Sequence, residues 1–90
     1  MPLTDQYIKQ YAQHNLASCV LKLRGATEEA EKLAQKAANG LPLQAGFWYN
    51  LANIYAGRGK ETEARYAFAQ VIKLAPGTEL AESAKEILGA

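Results

Sequence analysis

Residues 48–76 read WYNLANIYAGRGKETEARYAFAQVIKLAP, and this stretch decides the fold. Helix formers run up to Gly57-Arg58-Gly59, a tight-turn signal, then resume until Pro76. Trp48, Leu51 and Tyr55 recur at intervals of three and four, so they share one side of a helix. After the turn, Ala64 and Phe68 do the same. The segment therefore reads as two helices folded back on each other.

The same punctuation divides the rest of the chain. Gly25, Gly40-Leu41-Pro42 and Pro76-Gly77 separate segments poor in β-branched residues, which predicts five helices. The first is expected to start at the cap pair Thr4-Asp5 and run to about Arg24, with Tyr7, Ile8, Tyr11, Ala12, Leu16, Val20 and Leu23 on its apolar side. The second follows the cap Thr27 and stops at Gly40; Glu28, Glu29 and Glu31 open it, complementing the helix dipole. The third spans about 44–56 and the fourth about 61–74. The fifth follows Thr78, ends at Gly89 and shows one stripe of Leu80, Ala81, Ala84, Ile87 and Leu88.

Shifting the chain by 34 positions lays Arg24-Gly25 on Arg58-Gly59, Glu29-Ala30 on Glu63-Ala64 and Pro42 on Pro76. These coincidences fall at turns and close-packing points. They predict one domain over 1–90: helix pairs at 11–44 and 45–78, then a closing helix at 79–89 with a polar outer face.

With Trp48, Leu51-Ala52, Tyr55, Ala64, Phe68 and Pro76 at the family's separations, residues 45–78 resemble the tetratricopeptide repeat. Ala52 stands where that pattern has Gly and keeps the volume small. Residues 11–44 resemble it more distantly: His14 replaces Trp, Ala17-Ser18 replace Leu-Gly, Leu21 replaces Tyr and Ala34 replaces Phe, while Gly25, Ala30 and Pro42 remain. The resemblance implies an all-α, right-handed α-solenoid of antiparallel helix pairs. It also implies a concave groove lined by the first helix of each pair. By position, that groove would present Asn15, Cys19 and Lys22, then Tyr49, Asn50 and Asn53, then Leu80, Ser83 and Ile87. Two mid-helix asparagines are notable, since asparagine is a mediocre helix former whose amide can both donate to and accept from a peptide backbone. One branch of the family grips the C-terminal carboxylate of chaperone tails with a lysine and asparagines. Asn50 matches one such position, but Asn15 and Cys19 depart from the other two.

Composition bounds the function. A 90-residue chain buries only roughly 60–65% of its unfolded surface, so its stability margin is thin. The net charge of +1, with cations scattered along the chain, gives no basis for nucleic-acid or anionic-membrane binding. Cys19 is the only cysteine, which fits a reducing compartment, and MPLTDQYIKQ lacks the pattern of a secretion signal. A cytoplasmic protein without membrane insertion is expected.

No catalytic set emerges. His14 and Cys19 are five apart, about 140° round a helix, so they make no metal pair. His14 reads as a packing substitute for an aromatic. Glu28 and Glu61 precede Lys32 and Arg65 by four, the spacing of exposed ion pairs rather than paired acids. Gly57-Arg58-Gly59 lacks the strand and the Gly-Lys-Ser/Thr ending of a phosphate loop. The expectation is a non-catalytic scaffold without cofactor or metal, docking a protein or peptide partner. The alternative is self-association as a homodimer, or packing on the rest of a larger repeat protein, through Tyr7, Ile8 and Tyr11, which have no assigned neighbour.

Overall fold

The computed structural model describes residues 2–89, with side-chain surroundings from Asp5 onward. Among these residues lie five α-helices and no strand: α1 (Pro2–Arg24), α2 (Glu28–Gly40), α3 (Ala45–Gly57), α4 (Glu61–Leu74) and α5 (Glu79–Leu88). The all-helical repeat architecture expected from the sequence is present. Thr27 and Thr78 cap their helices, each hydroxyl accepting from the backbone N–H three residues on, at 3.1 Å from Ala30 and 3.2 Å from Ala81. The first helix differs. It begins at Pro2 rather than at Thr4-Asp5, because proline is tolerated in a first turn whose N–H groups have no helical partner. The expected cap side chain of Thr4 lies outside the described ones.

The turns repeat in geometry. Gly25 and Gly59, 34 positions apart, have φ of 82° and 76°, a left-handed conformation that a Cβ would disfavour. Each lets a helix reverse within a few residues, so α2 packs on α1 and α4 on α3. Successive pairs join through α2 against α3 and α4 against α5. The first helices also touch, α1 with α3 and α3 with α5, whereas α2 and α4 make no contact with each other. Helices in contact mark the inside of a curve and separated helices its outside. The stack therefore bends with α1, α3 and α5 inside.

Two apolar clusters hold it. One joins α1, α2 and α3 through Ala17, Val20, Ala30, Ala34, Phe47 and Ile54; the other joins α3, α4 and α5 through Ala52, Ala64, Phe68, Val71 and Ala84. Trp48 and Tyr55 pack against both. The alanines matter because they let backbones approach closely; Ala52 is fully buried and Ala64 nearly so.

The packed face of α1 is only in part the one expected, with Val20 its one member that is buried. Gln10, Ala17 and Val20 are buried, whereas Tyr7, Ile8, Tyr11, Leu16 and Leu23 are exposed. Large apolar residues surround much of this helix, and close approach to α2 selects the side carrying small ones. On α5 the stripe is likewise narrower: Ala81 and Ala84 are buried, but Ile87 is 52% exposed.

Candidate functional site

The expected groove residues sit on the three inner helices. On α1, Asn15, Cys19 and Lys22 are all exposed. On α3, Asn53 is exposed and Tyr49 is half-buried, its ring meeting Phe68 edge-on at 5.8 Å. Asn50 differs from Asn53. Its amide nitrogen is buried without a hydrogen-bond partner, so that donor does not face solvent. On α5, Leu80 packs against the second cluster, Ser83 is half-buried and Ile87 is exposed. The fold brings these three helices side by side, yet no hydrogen bond among the described residues links one of these side chains to another.

Tyr7 and Tyr11 have the neighbours that the sequence left open. Tyr11 donates to Gln44 Oε1 at 3.2 Å, and Gln44 Nε2 donates to the Tyr7 hydroxyl at 2.8 Å. The two tyrosine rings stack at 5.3 Å, Tyr11 meets Phe47 edge-on at 4.9 Å, and His14 stacks on Phe47 at 4.4 Å. Burial lowers the pKa of His14 below its ordinary value of 6.5. This aromatic ladder ties the extended start of α1 to the start of α3, and Ile8 stays outside it.

Glu31 was assigned only a dipole role by its place in the first turn of α2. The structure buries it, and two cations from the α3–α4 turn converge on it. Lys60 Nζ donates to Oε2 at 2.8 Å; Arg58 Nε lies 2.9 Å from Oε1, an ion pair off the line of a hydrogen bond. Position alone did not separate Glu31 from Glu28 and Glu29. Its offsets of three and seven from Ala34 and Ala38, both buried, were the available signal. The pairs Glu28–Lys32 and Glu61–Arg65 are present as expected, exposed and 3.7 Å long.

A cleft of about 380 Å³ opens where α2 and α4 diverge. Trp48, Leu51 and Tyr55 floor it; Gln35, Asn39, Thr62, Glu63 and Tyr66 rim it. Sequence reading placed those α3 aromatics in the packing and gave them no surface role. Among the described residues, no group of three or more His, Cys, Asp or Glu side chains converges as metal ligands, and no helix is long and apolar enough to cross a membrane.

A stack of antiparallel helix pairs in which successive first helices touch defines a helical-repeat scaffold. The model of the tetratricopeptide repeat family matches residues 45–78, the segment of α3 and α4. Repeats of this family are in general protein–protein interaction modules and generally non-catalytic. No curated protein matches the chain.

Proposed function

We propose that the chain is a non-catalytic interaction module whose inner face docks an extended peptide or a helix of a partner protein. In this reading residues 11–44 form a degenerate repeat, 45–78 the well-matched one, and 79–89 a capping helix. The observation that carries it is the curvature: α1, α3 and α5 touch on the inside while presenting Asn15, Cys19, Lys22, Tyr49 and Asn53 to solvent. A preformed polar surface of this kind binds at little ordering cost. Tyr49 supplies an aromatic shelf held by Phe68, Asn53 a free amide, and Ser83 and Ile87 continue the face on α5. Asn50 is half-buried with its amide nitrogen out of solvent, so Asn53 carries the amide contact of this face. The exposed thiol of Cys19 suits a reducing compartment such as the cytoplasm.

The test is calorimetry with a peptide selected by display on this protein. Asn53→Ala should weaken binding by about 0.5–1.5 kcal/mol, the net scale of one hydrogen bond. Tyr49→Ala should cost more, because an aromatic anchor also contributes area. Lys73→Ala, at an exposed position of α4, should change nothing. Loss on Lys73→Ala with none on the other two would place the partner elsewhere.

A second reading, self-association, rests on the row Ile8, Leu16 and Leu23 along α1, exposed by 64%, 51% and 84%. Ile8→Ser with Leu23→Ser would then turn a sedimenting dimer into a monomer. A wild-type monomer at micromolar concentration disposes of this reading.

A further inference from the structure

The cleft between α2 and α4 lies on the other side of the molecule from the inner face. Asn53 is five residues past Trp48, about 140° round α3 from it. We propose that this outer cleft is a second, independent recognition site, and that it receives an arginine side chain of a partner protein.

Its lining is one-sided in charge. Glu63 is the one acidic residue lining it, no Lys, Arg or His lines it, and no cation is paired with Glu63 among the described residues. Glu63 also sits in the first turn of α4, where the helix N-terminus favours a charged carboxylate. The cations of the α3–α4 turn and the start of α4 are committed elsewhere. Arg58 and Lys60 converge on Glu31, and Arg65 pairs with Glu61. Lys60 lies 6.0 Å from the Tyr55 ring centroid, but its charge is met by Glu31 at 2.8 Å and it does not line the cleft.

The aromatic walls complete the site. Trp48 and Tyr66 have ring centroids 6.0 Å apart and planes at 76°, and both line the cleft. Trp48 is fixed by its indole N–H donating to the Pro42 carbonyl at 2.8 Å. Tyr55 is fixed by Gln35 Nε2 donating to its hydroxyl at 2.8 Å, which leaves the Gln35 amide oxygen as a further acceptor on the rim. Tyr66 is 60% exposed, a large aromatic surface left to water. Perpendicular π-faces, a free carboxylate and neutral oxygens at Gln35, Asn39 and Thr62 together select a cation. A guanidinium fits better than an ammonium. It stacks flat on an aromatic ring while its edge donates several hydrogen bonds to a carboxylate and carbonyls at once. About 380 Å³ holds that group and its alkyl stem.

Trp48 is the only tryptophan, so its indole N–H resonance and its fluorescence report on this cleft without ambiguity. Titrate the full chain with N-acetyl-arginine amide, with its neutral isostere N-acetyl-citrulline amide, and with N-acetyl-lysine amide. The arginine probe should shift the Trp48 signals saturably at concentrations up to about 10 mM, the range expected of one side chain. Citrulline should not. Glu63→Gln and Tyr66→Leu, both at exposed positions, should each weaken the response about tenfold while circular dichroism stays unchanged. Lys73→Ala should leave it intact. An equal response to citrulline, an unaltered response of Glu63→Gln, or no saturable shift overturns the proposal. A lysine response as strong as that of arginine overturns the choice of guanidinium. None of these outcomes bears on peptide docking at Tyr49 and Asn53, which is read from other variants.

Discussion

Glu31 and His14 show how much can turn on one buried polar group. Glu31 is 6% exposed and joins the first pair to the turn of the second through Arg58 and Lys60. Both cations keep partial access to water, so removing the carboxylate leaves them hydrated rather than stranded. Glu31→Gln should therefore cost about 1–3 kcal/mol, less than the loss of a fully enclosed partner. The urea midpoint of the variant, at constant slope, measures this; a midpoint equal to that of Glu28→Gln would mean the clamp contributes nothing. His14 acts through pH. Burial against Phe47 disfavours its charged form, and its Nδ1 is buried without a partner, which suits a neutral ring. The unfolded chain then takes up the proton at a higher pH than the folded one. Stability from this group is full above the ordinary value of 6.5, falls as pH drops through it, and levels off below the depressed folded value. His14→Phe keeps the stack and should flatten this component. Urea midpoints of wild type and variant at about pH 7.5 and about pH 5 check it, and parallel losses in both would exclude His14 as the cause.

At the scale of helices, what the sequence disclosed and what it concealed have different physical origins. Turn chemistry is local, so Gly25, Gly59, Thr27, Thr78 and the prolines marked five helices almost to the residue. The contact of α3 with α4 was legible because Ala52 and Ala64 are small residues set among aromatics. The register of α1 was not, because its apolar residues point in several directions and only the approach of α2 decides which side is covered. The outer cleft was hidden for a related reason: it exists because α2 and α4 diverge, a property of neither helix alone. Two glycines of α3 separate local propensity from tertiary contact. At Gly46 a Cβ would meet nothing within 4 Å, so Gly46→Ala should raise stability by a few tenths to about 1 kcal/mol through backbone entropy. At Gly57 a Cβ would stand 2.7 Å from the Cβ of Ala26, too close for either to stay in place. Gly57→Ala should instead destabilise by about 1–2 kcal/mol, because the α1–α2 turn is forced away from the end of α3. Thermal midpoints that move the same way for both would refute this placement of the turn.

For the molecule as a whole, the question is whether two short cores behave as one. Each cluster is small, and in a stack of repeats stability is the sum of the units and the interfaces between them. The joining parts all involve α3: Phe47, Leu51 and Ile54 set in the first cluster, Trp48 and Tyr55, which pack against both clusters, and the Glu31 clamp at its far end. On the inner side, Tyr11 and His14 add the contact with Phe47. In the wild type these links should make α1–α2 and α4–α5 open together. Trp48→Leu keeps an apolar side chain but is too small to reach both clusters, and large-to-small changes at such sites cost about 2–4 kcal/mol. The loss should not be shared evenly. Helices α3 and α4 remain held by Ala52, Ala64 and the contact of Tyr49 with Phe68, so the weakened seam is the one facing α1 and α2. Amide hydrogen exchange should then show protection falling further in residues 11–40 than in 61–88, where the wild type shows one common opening free energy. A uniform fall across all five helices would show that Trp48 stabilises the molecule without coupling its halves, and that the other buried residues of α3, the clamp and the aromatic ladder unite them.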